Sequence, residues 1–67
     1  MSVAKVVEIY ASSNKSFEDA MVQGISRAHK TLKNIRGAWI HEQKVDVDKG
    51  KITAYRVAMK VTFVLAD

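Results

Sequence analysis

Four residues, Asp48-Lys49-Gly50-Lys51, constrain this chain more than any others. They set a glycine between two stretches, one running from Ala38 and one from Ile52, whose apolar residues recur with a period of two, the mark of a β-hairpin. A two-residue loop at Lys49-Gly50 pairs Asp48 with Lys51 and sets every later pair by counting outward. One face then collects Ile40 with Met59, Ala38 with Val61, Glu42 with Val57 and Lys44 with Tyr55, and runs on to Phe63 and Leu65. The other carries Trp39 with Lys60, His41 with Ala58, Gln43 with Arg56, Val45 with Ala54 and Val47 with Ile52.

Upstream, Val3 to Ala11 is rich in β-branched residues and is followed by Ser12-Ser13-Asn14, which predicts a first strand and a turn. Ser16 opens Ser-Phe-Glu-Asp, where a hydroxyl can accept from an orphan backbone N–H and an acid follows three residues later, so a helix starts there. Phe17, Met21, Gly24, Ile25, Ala28, Leu32 and Ile35 recur at spacings of three and four. The pattern predicts an amphipathic helix of about five turns ended by Gly37, with Lys30, Lys33 and Arg36 near the negative end of its dipole. The fold class is therefore α+β, in the order strand, helix, strand, strand, and residues 1–67 form a single domain.

A chain of 67 residues makes a thin core, because a domain this small buries only about 60% of the surface its unfolded chain exposes. Disulfides and metals are the usual supports, but the sequence has no Cys and no His cluster with metal-ligand spacing. Association with other copies is the support left. One helix covers only one side of a three-stranded sheet, so the face holding Trp39 must meet solvent, another subunit or a ligand.

Charge narrows the partners. The net charge of +4 comes from eleven Lys and Arg residues scattered among seven acids. No stretch is a basic run with interleaved aromatics, which argues against a nucleic-acid partner. The chain has no charged-then-apolar leader pattern, and its longest uncharged run is far short of the roughly 20 residues that cross a membrane. The expectation is a cytoplasmic protein with no membrane partner.

Enzymatic chemistry finds little footing. Ser12, Ser13, Ser16 and Ser26 occupy turn, cap or helix positions that account for them. His29 and His41 have no acid at a telling spacing, and Glu18 with Asp19 suits the first turn of a helix dipole. Gly24, Gly37 and Gly50 are too dispersed to cradle a phosphate. No catalytic or metal-ligating set emerges. What remains is Trp39 with Gln43 and Arg56. An indole stacks on a flat heteroaromatic while an amide and a guanidinium bond its polar edge, but the same three residues also suit the centre and rim of a subunit contact.

Taken in order, the residues resemble one family along nearly the whole chain. The first strand ends in Ala11-Ser12-Ser13 and is followed by Ser16-Phe17-Glu18-Asp19-Ala20, Arg27-Ala28 and Thr31-Leu32. Trp39, Asp48-Lys49-Gly50-Lys51-Ile52, Tyr55-Arg56-Val57 and Lys60-Val61-Thr62-Phe63-Val64-Leu65 complete the set. This resembles the dodecins. The resemblance implies a βαββ subunit whose three-stranded antiparallel sheet wraps one helix, with twelve copies forming a hollow shell, a homo-dodecamer. It also implies a non-enzymatic store that holds riboflavin or FMN as stacked pairs between strand-two tryptophans, the position Trp39 takes here, and quenches flavin photochemistry. Coenzyme A is a further ligand of some relatives, with no residues assigned in this chain. Several dodecins carry a strand-three Gln where Arg56 stands, and that Gln bonds the flavin's pyrimidine edge. Arg56 donates but does not accept, so Gln43, its expected cross-strand neighbour, would supply the acceptor. The alternatives are a structural shell whose two-fold pockets are empty or take another planar or phosphorylated ligand, and a small nucleic-acid-binding domain.

Overall fold

The computed structural model describes residues 3–65. The elements run β1 (Ala4–Ser13), α1 (Phe17–Ala28), β2 (Ile35–Asp48) and β3 (Lys51–Val64), the βαββ order expected. The three strands form one antiparallel sheet in the order β1-β3-β2, so the last strand is central. That position explains why β3 holds most of the core: Val57, Met59 and Val61 are at most 2% exposed, and all three point to the side where α1 lies.

The helix starts where the sequence placed it. Ser16 is extended and its hydroxyl accepts from the Asp19 backbone N–H at 2.9 Å, satisfying one of the orphan donors of the first turn. The Asp19 carboxylate in turn accepts from the Ser13 hydroxyl at 2.6 Å, tying the cap to the end of β1.

Its end lies well before the expected one. The helix has twelve residues and stops at Ala28, so Leu32, Ile35 and Gly37 are not helical, and Gly37 belongs to β2. Lys30, Lys33 and Arg36 consequently lie outside it, and Arg27 is the basic residue of its last turn. The cause is competition from the sheet. Asn34 adopts a positive φ of 63°, a conformation an Asn tolerates better than most residues, and turns the chain so that its carbonyl accepts from Val64 N–H at 3.1 Å. Ile35 then pairs with Phe63. The apolar spacing of Leu32 and Ile35 continues the helical pattern by coincidence, because both half-buried side chains are covered from a turn and a strand.

The hairpin turn is as expected, with Lys49 and Gly50 at φ 52° and 79°, the pair of positive values a two-residue loop of this twist requires. Asp48 pairs with Lys51 and Val47 with Ile52. Beyond these the count slips. An irregularity between Asp46 and Val47 moves the register by one, and a second at His41 restores it, so Ile40 with Met59, Trp39 with Lys60 and Ala38 with Val61 pair as counted. Between the two, Glu42 pairs with Ala58, Gln43 with Val57, Lys44 with Arg56 and Val45 with Tyr55, not with the partners expected of them. A one-residue slip turns each side chain to the opposite face. Glu42 and Lys44 therefore leave the helix side and Val45 enters it.

The core is small. Ala20, Val57 and Met59 are its centre, with Ile9, Ala11, Phe17, Met21, Ile25 and Ile40 packed around them. Phe17 meets Tyr55 edge to face at 5.2 Å between ring centroids. Gly24 lets the helix approach closely, since a Cβ there would sit 2.6 Å from Met59 Cε and 3.0 Å from Ala11 Cβ. Met59→Ala should destabilise by about 2–5 kcal/mol and Ser16→Ala by about 1 kcal/mol in urea denaturation, the first leaving a cavity and the second an unmet N–H.

Candidate functional site on the uncovered sheet face

With α1 packed on β1 and β3, the opposite face of the sheet is bare. The register lays out three rows across it: Glu8, Lys60 and Trp39; then Tyr10, Ala58 and Glu42; then Ser12, Arg56 and Lys44. Successive rows are about 7 Å apart, two residues along a strand. Trp39 is 48% exposed, a large apolar surface to leave in water. Lys60, half-buried beside it, separates it from Glu8.

Below Trp39 the face dips. A depression of about 290 Å³ has Ala58 as a small floor residue and is walled by Tyr10, Glu42, Ser12, Lys44 and Arg56. Its two ends differ in chemistry. At one end the Tyr10 hydroxyl donates to Glu8 Oε1 at 3.1 Å, and His41 Nε2 approaches Glu8 Oε2 at 4.0 Å. That bond to a carboxylate, with the charges of Glu8 and Glu42 beside it, pushes the Tyr10 phenol above its ordinary pKa. At the other end Arg56 donates from Nε at 2.9 Å and from Nη2 at 2.8 Å, both to the same oxygen of Asp46. The hydrogen bond from Arg56 holds the Asp46 carboxyl below its ordinary value, and the same bond raises Arg56. A guanidinium has five N–H groups, so donors remain beyond those given to Asp46.

Of the three residues that the sequence singled out, the fold brings two to one face. Trp39 and Arg56 both stand on the uncovered side, two rows apart. Gln43 does not join them: it pairs with Val57 and so falls on the helix side, and the residue beside Arg56 is Lys44. The slip between the two irregularities is the reason. Tyr10, Ser12, Glu42 and Lys44 were missed for the same reason or because nothing in the sequence pairs β1 with β3. One signal was present, since an unbroken count puts the charged Glu42 and Lys44 on the face that must cover a helix.

Fold and face together define a small α+β subunit with half of its sheet uncovered. The dodecin family model matches residues 3–66, and the chain belongs to the dodecin family. A calcium dodecin from Mycobacterium tuberculosis is 42% identical over 64 residues, spanning 94% of this chain and 89% of that protein. Among solved structures, an arginine-to-alanine variant of the Thermus thermophilus dodecin has a TM-score of 0.94 at 27% identity, covering 100% of both chains. The dodecin from Streptomyces davaonensis has a TM-score of 0.93 at 30% identity, covering 98% of this chain and 97% of that one. A calcium-chelating calcium dodecin from M. tuberculosis has a TM-score of 0.81 at 37% identity, covering 96% of this chain and 91% of that one. Dodecins assemble as homo-oligomers. Among the described residues no helix is long and apolar enough to cross a membrane.

The ion pair at the mouth of the depression has a pH signature. Asp46 has its pKa lowered on folding, so its pairing with Arg56 favours the folded state above the ordinary value of 3.8 and that contribution is lost as pH falls through the lowered one. By NMR, the Asp46 carboxyl carbon should titrate below 3.8, and Arg56→Gln should return it towards that value.

Proposed function

We propose that this protein is a non-catalytic, cytoplasmic storage and buffering protein, assembled from copies of itself into a dodecameric shell, that holds a flavin against Trp39. The observation that carries this reading is an indole 48% exposed on an uncovered sheet face, one row from a depression with donors at one end and acceptors at the other. Burying that indole against a flat heteroaromatic removes apolar area from water and gives the ligand a defined plane. An indole in van der Waals contact with an excited isoalloxazine can also pass it an electron, which quenches the photochemistry without turning the ligand over. Arg56 and Lys44 offer hydrogen bonds to carbonyl oxygens at the ligand's polar edge.

Self-association answers a separate need. A trough of about 560 Å³ between α1 and β1 is walled by Val7, Ile9, Ala11, Gly24, Ala28 and Leu32, apolar surface that a subunit with so small a core leaves in water. Packing it against further copies supports both the fold and the shell.

Calcium is the second reading, favoured by the 42% identical relative that bears the name calcium dodecin. Among the described residues, no group of three or more His, Cys, Asp or Glu side chains is placed to hold a metal. Calcium takes six to eight oxygens, so such a site would draw its ligands from several copies.

Titrating riboflavin and FMN with protein whose mass is fixed by light scattering separates these readings. Flavin fluorescence should be quenched to saturation, and Trp39→Ala should leave the particle mass unchanged while weakening binding by about 1–3 kcal/mol per stacked ring. Heat evolved on calcium addition, with no flavin quenching, would instead favour the metal.

A further inference from the structure

The end of the sheet away from the hairpin turn carries charge that neither the fold nor the proposed ligand uses. The three strands finish there beside the connection from α1: Leu65 N–H donates to Val3 O at 2.8 Å, and Val64 N–H to Asn34 O at 3.1 Å. Lys5 follows Val3 by two residues, Lys33 and Arg36 flank Asn34 and Ile35, and Arg27 and Lys30 lead in from the end of α1. All five cations are exposed. Because the helix stops at Ala28, Lys30, Lys33 and Arg36 do not serve its dipole, the task their spacing suggested. None of the five pairs with an acid among the described residues, where the ion pairs are His41 with Glu8 and Arg56 with Asp46. No acid occurs from Ala20 to His41 or from Lys51 to Ala66, so the five cations face at most Asp67, which lies outside the described residues. Val3 and Leu65, 54% and 42% exposed, stand among them.

We infer that this end is a peripheral docking surface for an anionic phospholipid bilayer, with the cations meeting headgroup phosphates and Val3 and Leu65 entering the boundary with the acyl chains. Basic residues interspersed with aliphatic ones have this affinity, and the anionic cytoplasmic leaflet supplies the complementary charge. Another copy of the chain is a poor complement. Like ends repel, and its acids are spoken for or scattered: Asp46 is bonded to Arg56, Asp19 to Ser13 and Glu8 to Tyr10, while Glu18, Glu42 and Asp48 lie on the helix, in mid-strand and at the hairpin turn. A nucleic-acid backbone would take the cations but leave the two aliphatic side chains in water. The expectation of no membrane partner rests on the lack of a run long enough to cross a bilayer, and lying against its surface needs no such run.

Flotation of the assembled protein with vesicles of phosphatidylcholine, with and without phosphatidylglycerol, tests this. The protein should rise with the anionic vesicles alone and be released by high salt, which screens exposed charges. Lys30→Gln/Lys33→Gln/Arg36→Gln should weaken binding by on the order of a hundredfold, each cation near an anionic surface being worth about 1 kcal/mol, and should leave particle mass and flavin quenching unchanged. Lys15→Gln/Lys49→Gln/Lys51→Gln removes the same charge from other exposed positions and should bind as the unaltered protein does. The inference is overturned by a failure to float with anionic vesicles or by equal losses in the two triple variants, which would reduce the effect to net charge. Tighter binding to duplex DNA than to the vesicles would also overturn it and assign the cations to a nucleic-acid backbone.

Discussion

The structure depends on how closely α1 approaches β3. Gly24 has no Cβ, and a methyl there would push the Met59 Cε tip aside and press on Ala11 Cβ, so the helix lies close against the sheet at this point. Ala20, wholly buried one turn earlier, continues the same close seam against Val57 and Met59. Small residues on the helix and large ones on the central strand interdigitate, which is how a core of so few side chains reaches protein-like density.

Close packing on one side leaves the other side bare, and the candidate functional face follows from that asymmetry. One twelve-residue helix spans β1 and β3 but cannot shield a sheet whose hairpin strands have fourteen residues each. The molecule is correspondingly drawn out, 52 Å long and 13 Å in its thinnest direction. A chain built this way leaves the second face of its sheet open. The indole of Trp39, the Asp46–Arg56 pair and the Glu8–Tyr10 contact all stand on that surface, and none of them touches the core.

Two irregularities in the hairpin give that face its chemistry. Without them, Glu42 and Lys44 would point at the helix and Gln43 would stand beside Arg56. The slip at Asp46 and its reversal at His41 exchange these residues over a short stretch while leaving the pairs at Trp39 and Val47 undisturbed. Burial supports the exchange: a strand that turned Glu42 and Lys44 inward would desolvate two charges to no gain, whereas the slipped strand sends Val45 in and both charges out. Such bulges commonly re-aim side chains near functional surfaces.

The sequence alone determined the order of elements, the helix cap at Ser16, the two-residue turn at Lys49-Gly50 and the resemblance to dodecins along the chain, because each rests on neighbouring residues or on a local period. It also placed Trp39 and Arg56 on one face, since an even number of slips between them and the turn or none at all gives the same side at Trp39, and Arg56 keeps its own side on β3. The tertiary structure alone decided where the helix ends, which strand is central and which residues surround Arg56. The helix ends early because Asn34 and Ile35 pair with β3, a partner some thirty residues away that no local period can announce. The neighbours of Arg56 depend on a one-residue slip whose cost and benefit are settled only when helix, core and solvent stand on definite sides of the sheet.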